Sequence, residues 1–386
     1  MDWDHLSEEY NDKLFAGWLQ LLSQQSPALP SRVATQNRRG TAWVADVSQF
    51  TTGAYNICCI VTFEDGFRAL VRFPILGRSR FRTEKSRNEA SVMKFLSQNT
   101  ALPVPCILGM GRWGCGPYLV ITFTEGMLLS NRLGDPTIQS PSLNPNVSDS
   151  DIQIILELSK PIFSSIGALE EGSQMWKVAQ RPLTLNMTNC TAGEYFEELA
   201  RQQLLYLQYQ RNDAVEDEQD FRKKCIARCL LREIAREYKK QRSGPFHLYC
   251  EDLRPSNVLV AKQDFLLTGV IDWEFTYVAP AEYTYTAPWW LLFESPEAWQ
   301  SDLHAFLARY TPRLHLFLSA LRSCEDEKKR NGALKEYQRL SERMAELSLL
   351  SQEELDGLEM FVSLKMQQAR ENRLDEHILM DKLIDL

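Results

Sequence analysis

The chain has 386 residues, 44% of them hydrophobic, 24% charged and 10% aromatic, the composition of a folded globular protein with material for more than one lobe. Fibrous, collagenous and wholly disordered chains are thereby excluded. The 43 Lys and Arg stand against 51 Asp and Glu, a formal charge of −8, so general attraction to nucleic acid or to an anionic membrane is not expected.

No apolar run approaches the roughly 18 residues of a membrane span. The acidic start Met1-Asp2-Trp3-Asp4-His5 lacks the basic and apolar pattern of a signal peptide, and the expected location is cytoplasmic. Nine cysteines, an odd number without a CxxC pair, read as reduced thiols.

At the start of the chain, Leu14, Trp18, Leu21 and Leu22 form a stripe at helical spacing that Pro27 and Pro30 end. Ile57 to Phe63 and Arg68 to Phe73 flank the turn signal Glu64-Asp65-Gly66 and predict a β-hairpin. A helix capped by Thr83 is expected to run to about Leu96 with Ala90, Met93 and Leu96 inward, and Pro103 and Pro105 follow it. Tyr118 to Phe123 reads as another strand.

The stretch from Ser130 to Ser150, dense in Pro, Ser, Asn and Asp, predicts a loop. Helices follow, from Asp151 to Leu169 and from Thr191, where Thr191-Ala192-Gly193-Glu194 has capping-box form. Asn257 to Ala261 and Leu266 to Trp273 read as paired strands. In the tail, Leu334, Tyr337, Leu340, Met344 and Leu347 keep helical spacing, and Ser351-Gln352-Glu353-Glu354 is a second capping box.

The chemistry concentrates in Cys250-Glu251-Asp252-Leu253-Arg254-Pro255-Ser256-Asn257 and in Ile271-Asp272-Trp273-Glu274. A carboxylate, a cation two residues on and a carboxamide five residues on precede a strand, and a second carboxylate ends the next apolar run. Phosphoryl transfer needs such a set, because its loose transition state asks the protein mainly to position groups and neutralise charge. Magnesium takes hard oxygen donors and keeps several waters, so Asn257 and Asp272 suffice as protein ligands. Asp252 would then accept or orient the substrate hydroxyl, with Arg254 on the transferring phosphate. The spacing Asp-Leu-x-x-x-Asn matches a protein-kinase catalytic loop.

On these residues the sequence resembles the aminoglycoside phosphotransferase and choline kinase group of small-molecule kinases, over roughly residues 45 to 300. The resemblance extends to Phe50-Thr51-Thr52-Gly53-Ala54-Tyr55-Asn56 and Leu70-Val71-Arg72-Phe73, and Ala279-Pro280-Ala281-Glu282-Tyr283 with Ala287-Pro288-Trp289-Trp290 looks like a fungal-type subgroup.

The resemblance implies an α+β, bilobal protein-kinase-like fold. A small antiparallel-sheet N-lobe would occupy residues 1–124 and a mainly helical C-lobe residues 125–386. It implies ATP and Mg2+ as cofactors and a small-molecule substrate, with no nucleic acid or membrane partner. The nucleotide site takes in Gly53, Ala54, Tyr55, Asn56, Arg72, Glu89 and Phe123, with Arg72 where the family has its phosphate lysine and Glu89 as its ion-pair partner. Three positions depart from the family pattern: Cys250 stands where a His is usual, Arg72 replaces Lys, and Gly53 is the one glycine of the phosphate loop. A guanidinium and an ammonium meet phosphate differently.

The expected activity is phosphorylation of a hydroxyl on a small, amine-containing metabolite. The alternatives are a pseudokinase-like nucleotide-binding module, and carboxylate activation or nucleotidyl transfer on the same fold.

Plainer readings stand beside these. Asp252 and Asn257 suit an ordinary turn, and Gly53 could simply close a hairpin. The run Asp213, Glu216, Asp217, Glu218, Asp220 reads as a solvated face or as an acidic lip for an amine, as do Glu274, Glu282 and Glu294. Trp273, Tyr277, Tyr283, Tyr285, Trp289 and Trp290 read as packing, with Trp273 the best candidate for a substrate wall. His247 reads as a packed strand residue.

Overall fold

The computed structural model describes residues 3–79, 81–131, 148–173, 175–180, 191–209, 214–238, 245–263, 266–292, 303–332 and 339–348. The chain divides into two compact units, Met1–Thr284 and Tyr285–Leu386.

The first unit opens with helices α1 (Trp3–Gln24) and α2 (Ala28–Asn37). Trp18 and Leu22 of the expected stripe are buried, whereas Leu21 is exposed; Phe15 and Leu19 pack on the core instead. Pro30 does not end a helix but sits in the first turn of α2, where a missing N–H leaves no bond unmade.

The sheet consists of β1 (Val44–Val47), β2 (Thr51–Thr52), β3 (Asn56–Phe63) and β4 (Arg68–Pro74), joined later in the chain by β5 and β6. Gly66, at φ 82°, lets the β3–β4 turn close as the sequence predicts. Alternation along β3 and β4 sends Ile57, Cys59, Val61, Phe63, Ala69, Val71 and Phe73 into one core with α1 and α2. The opposite face of these strands carries Asn56, Cys58, Leu70 and Arg72, with Cys58 paired to Arg72 in the antiparallel register.

Helix α3 (Arg82–Asn99) follows. Ala90, Met93 and Leu96 are buried as expected. Thr83 is not its cap: the helix starts at Arg82, and the N-cap position is Phe81, which makes no side-chain capping bond. The Arg82 guanidinium anchors that first turn by donating to the carbonyls of Pro74 and Cys115.

Next come β5 (Ile107–Trp113) and β6 (Gly116–Thr122), which complete the order β1-β3-β4-β6-β5, with β2 on β3. β5 is not evident in the sequence because Gly109 and Gly111 weaken its strand pattern. The glycines are there for space, since a Cβ at Gly109 would overlap the Asn37 side chain and one at Gly111 would meet the Tyr118 ring.

The chain crosses at β7 (Met127–Leu128), and residues 132–147 of the expected loop lie outside the described residues. Helix α4 (Ser148–Ser159) is shorter than expected: Pro161 follows it, and Ala168–Glu171 is a strand, β8, paired with β9 (Trp176–Gln180). Helix α5 (Ala192–Tyr209) has the expected capping box, in which the Glu194 carboxylate accepts from the Thr191 N–H and Thr191 Oγ1 accepts from the Glu194 N–H.

Helix α6 (Glu218–Tyr238) begins at the acidic run, where the Asp217 carboxylate accepts the Asp220 N–H and Asp220 pairs with Lys224. The described part of that run therefore caps a helix; Asp213 lies outside the described residues.

Strands β10 (Phe246–Cys250), β11 (Val258–Val260), β12 (Leu267–Val270) and β13 (Thr276–Pro280) form two small sheets, β10–β13 and β12–β11–β7. The β11–β12 pairing is the one read from the sequence. Trp273 lies beyond β12, and His247, whose Nδ1 is 2.9 Å from the Pro161 carbonyl, is packed within β10.

Thus a sheet with α1–α3 forms one lobe, and the helices with short β-ladders form the other. The last elements are α7 (Ala281–Tyr285), α8 (Leu303–Arg330) and α9 (Leu340–Ser348). Leu340 and Met344 are buried, while Leu334, Tyr337 and the Ser351 capping box lie outside the described residues. Among the described residues no helix is long and apolar enough to cross a membrane.

In the second unit the start of α9 is capped from α8: the buried Glu325 carboxylate accepts from the N–H groups of Leu340 and Ser341 at 2.6 and 3.1 Å. Glu325→Ala would leave both donors buried and unpaired, at a cost of at least about 2 kcal/mol. Urea unfolding should show that loss, and an unchanged midpoint would overturn the capping role.

Candidate functional site

A cavity of about 970 Å³ lies between the two lobes of the first unit. It is lined by Gly53, Ala54, Tyr55, Asn56, Arg72, Glu89, Phe123, Asp252, Arg254 and Asp272. Asn257 is buried behind this lining. The residues expected to serve catalysis, metal and nucleotide are therefore brought to one place.

Tight turns aim the two acidic segments. Asn257 Nδ2 donates to the Asp252 backbone carbonyl at 2.8 Å and to its carboxylate at 3.2 Å, and Arg254 Nε lies 3.1 Å from the other carboxylate oxygen. With the amide nitrogen so engaged, the amide oxygen is the atom Asn257 would offer a metal. The Ile271 N–H donates to the Asn257 carbonyl at 2.9 Å, tying the Asp272 segment to the Asp252 turn. Asp272 has φ 63°, a left-handed backbone that turns its side chain out of the strand direction.

Among the described residues no group of three or more His, Cys, Asp or Glu converges as a metal cage. One carboxylate and one amide oxygen are still a fitting set for magnesium, which draws its other oxygens from water and phosphate.

Arg72 is the hub of the opposite wall. Its Nη1 is 2.5 Å from Glu89, and its Nη2 is 3.2 Å from Asp272 and 3.6 Å from Glu274. Burial opposes the Arg72 charge, but Glu89, Asp272 and Glu274 outweigh it and hold the guanidinium above its ordinary range. Burial pushes Glu89 up to about 7, with Asp272 and Glu274 adding to the rise against the pull of Arg72.

The hairpin β2–β3 covers this wall. Its turn closes with the Gly53 N–H on the Asn56 carbonyl at 2.8 Å, and Thr51 and Thr52 pair with Cys58 and Ile57. Cys58 lines the cavity, its thiol pushed up to about 11 by burial.

Several residues of the site were not singled out from the sequence, or were read differently. Lys85 is 2% exposed and its Nζ lies 2.6 Å from Glu274. Its place one helical turn before Glu89, on the same face of α3, was the available signal. Glu274 is a buried partner of both cations rather than an exposed acidic lip. Glu294 lies outside the described residues.

Glu251 lines the cavity and accepts from Tyr277 Oη at 2.9 Å, and Tyr277 in turn meets the Tyr195 hydroxyl. Trp273 is no cavity wall: it is buried, and its indole N–H donates to the Val270 carbonyl. Cys250, also buried, is pushed up to about 12 by that burial.

The raised Glu89 carboxyl fixes a pH dependence. Between the ordinary carboxylate value of 4.5 and about 7, the native state holds a proton that the unfolded chain has released. Its contribution is therefore full below 4.5 and lost as pH rises through about 7. Relative to Glu89→Gln, the wild type should lose stability between about pH 5 and about pH 8 in urea unfolding; a difference independent of pH would refute the assignment.

Comparison with known proteins bears on this geometry. A curated relative, the clavilactone A biosynthesis cluster protein Y of Ampulloclitocybe clavipes, is 24% identical over 255 residues, 62% of this chain. The aligned part spans 62% of that relative's length. Solved structures similar to the chain include the macrolide 2'-phosphotransferase of Brachybacterium faecium, at 13% identity with a TM-score of 0.42, covering 84% of this chain and 99% of that one. Another is the ethanolamine kinase of Plasmodium vivax, at 14% identity and TM-score 0.43, covering 77% and 73%. The sequence profile of the phosphotransferase enzyme family matches residues 46–325, a stretch that holds the sheet, the cleft and both acidic turns. The chain, with its α+β bilobal kinase-like fold, belongs to that phosphotransferase family.

Proposed function

We propose that the chain is an ATP- and magnesium-dependent kinase that phosphorylates a hydroxyl on a small metabolite, with amine-bearing alcohols the first class to test. The observation that carries this reading is the tying of Asn257 to the Asp252 carbonyl by its side chain and to the Asp272 segment by the Ile271 N–H, in a cleft whose facing wall presents the Arg72–Glu89 pair.

Asn257 and Asp272 would hold the magnesium ion, which when bound would neutralise phosphate charge and orient the nucleotide. The Gly53–Asn56 turn covers the phosphates, and Arg72, held by Glu89, contacts them. Phe123 contributes to the apolar wall on which the base rests. Asp252 accepts the acceptor hydroxyl proton as the new oxygen–phosphorus bond forms and the bond from phosphorus to the β–γ bridging oxygen breaks. Arg254, paired with Asp252, keeps that carboxylate turned toward the acceptor. The Gly53–Asn56 turn and residues 1–124 serve the nucleotide; residues 125–386 bring the catalytic turn and the acceptor side. The site suits a cytoplasmic supply of nucleotide.

A second reading, a nucleotide-binding module without turnover, draws on the engagement of Arg72 by three carboxylates. Thermal-shift titration with MgATP, followed by product analysis over a panel of amino alcohols, separates the readings. ADP with a phosphorylated acceptor supports the kinase. AMP or an acyl product supports nucleotidyl transfer or carboxylate activation, and stabilisation without turnover supports the module.

Once an acceptor is found, Asp252→Ala should lower kcat about 10²- to 10⁴-fold while nucleotide binding stays. Asp272→Ala should abolish the magnesium dependence of binding. Unchanged turnover in both variants would remove the assignment.

A further inference from the structure

Beneath the phosphate-covering hairpin lies a second buried cation that the mechanism above does not use. Lys85, on the first turns of α3, points its ammonium at Glu274, 2.6 Å away. The same Glu274 oxygen accepts from Asn56 Nδ2 at 3.1 Å and lies 3.6 Å from Arg72 Nη2. Two aromatic faces close over the ammonium, the Tyr55 ring at 4.6 Å and the Phe275 ring at 5.3 Å. Those rings meet each other edge to face at 5.8 Å. Tyr55 and Asn56 belong to the hairpin turn, whereas Glu274 and Phe275 lie two and three residues after Asp272.

Two cations thus compete for one buried carboxylate. If Glu274 lacked Lys85, its charge would be balanced by Arg72 alone, the residue needed at the phosphates. A buried carboxylate without a partner is costly enough to reorganise its neighbours. We infer that Lys85 is a positioning residue: by neutralising Glu274 under the Tyr55–Phe275 lid, it leaves Arg72 available to nucleotide phosphate and pins the hairpin to the segment that carries Asp272. The inference rests on the kinase reading of the cleft and adds to it a residue that touches neither nucleotide nor acceptor.

The role separates phosphate recognition from nucleoside recognition, which a merely structural role would not do. Binding of MgATP, MgADP and adenosine to the full chain is measured by calorimetry for wild type, Lys85→Met, Lys85→Arg and Lys85→Met/Glu274→Gln. Lys85→Met should weaken MgATP and MgADP by about tenfold, within the ordinary range of coupling energies, and leave adenosine unchanged. Lys85→Arg should keep wild-type nucleotide affinity. The double variant, which removes the competing carboxylate together with its partner, should recover most of the loss.

Equal weakening of adenosine, or no recovery in the double variant, would overturn the inference while leaving the kinase reading intact. Unchanged nucleotide affinity in Lys85→Met would do the same. Should Lys85→Met not fold, Lys85→Gln, which can still donate one hydrogen bond to Glu274, carries the same comparison. Wild type that binds none of the nucleotides would overturn the kinase reading and the inference together.

Discussion

Five ionisable side chains packed between the lobes set the terms for the rest of the site. Arg72 from β4, Lys85 and Glu89 from α3, and Asp272 and Glu274 from the turn after β12 form one continuous buried or half-buried network. Two cations face three carboxylates. The surplus negative charge is tolerable in a low-dielectric setting only with a proton, as the raised Glu89 carboxyl indicates, or with a cation brought by ligand. Buried ion pairs of this kind add little to stability against an apolar replacement. Their value is geometric, since breaking any one leaves a charge with nowhere to go. The network therefore resists intermediate arrangements of the sheet, α3 and the Asp272 turn.

The period of two in the β3–β4 hairpin makes this possible. One face of the strands is filled by Trp18, Leu22, Val33 and their neighbours, and that apolar demand fixes the register. The same register delivers Arg72 and Cys58 to the other face, opposite each other, so a slip by one residue would bury Arg72 against α1 and α2. Helix α3 is held on that polar face by its other side. There Phe95 packs against Phe163 and Trp176, and the Trp176 indole donates to Gln98. Glu89 thus stays beside Arg72 because apolar contacts on the far side of its helix leave it no other place.

What could be read from the sequence follows the range of the interactions. The β3–β4 hairpin, the inward face of α3, the Thr191 capping box and the β11–β12 pair depend on neighbours within a few residues, and their spacing announces them. The Asp252–Asn257 turn was legible because Asp252, Arg254 and Asn257 share one local structure. β5 was hidden, because Gly109 and Gly111 answer to Asn37 and Tyr118, distant in sequence. The strand β8, whose first two residues were read as helix, forms through pairing with β9, beside a bridge from Gly167 to β13, rather than by propensity. Lys85 was not singled out, Glu274 read as a solvated face or an acidic lip, and Trp273 read as packing or a substrate wall, because nothing within their own segments shows which side of the chain the other lobe will cover.

The turn from Asp272 to Phe275 shows what that coverage supports. Asp272 at φ 63° and Phe275 at φ 62° both occupy the left-handed region, where a residue with a Cβ is strained by roughly 1–2 kcal/mol. Two such residues in four persist only if their surroundings overdetermine them. They do: the Ile271 N–H is fixed on Asn257, the Trp273 indole on Val270, the Glu274 carboxylate between two cations, and the Phe275 ring against Tyr55. Two of these restraints lie in or near the ladders of the turn's own lobe, but the Arg72 and Lys85 pairs and the Tyr55 contact come from the other lobe. The strained conformation that presents the Asp272 carboxylate to the cleft is thus maintained jointly by both lobes, and any motion that parts them releases strain in the segment that carries Asp272.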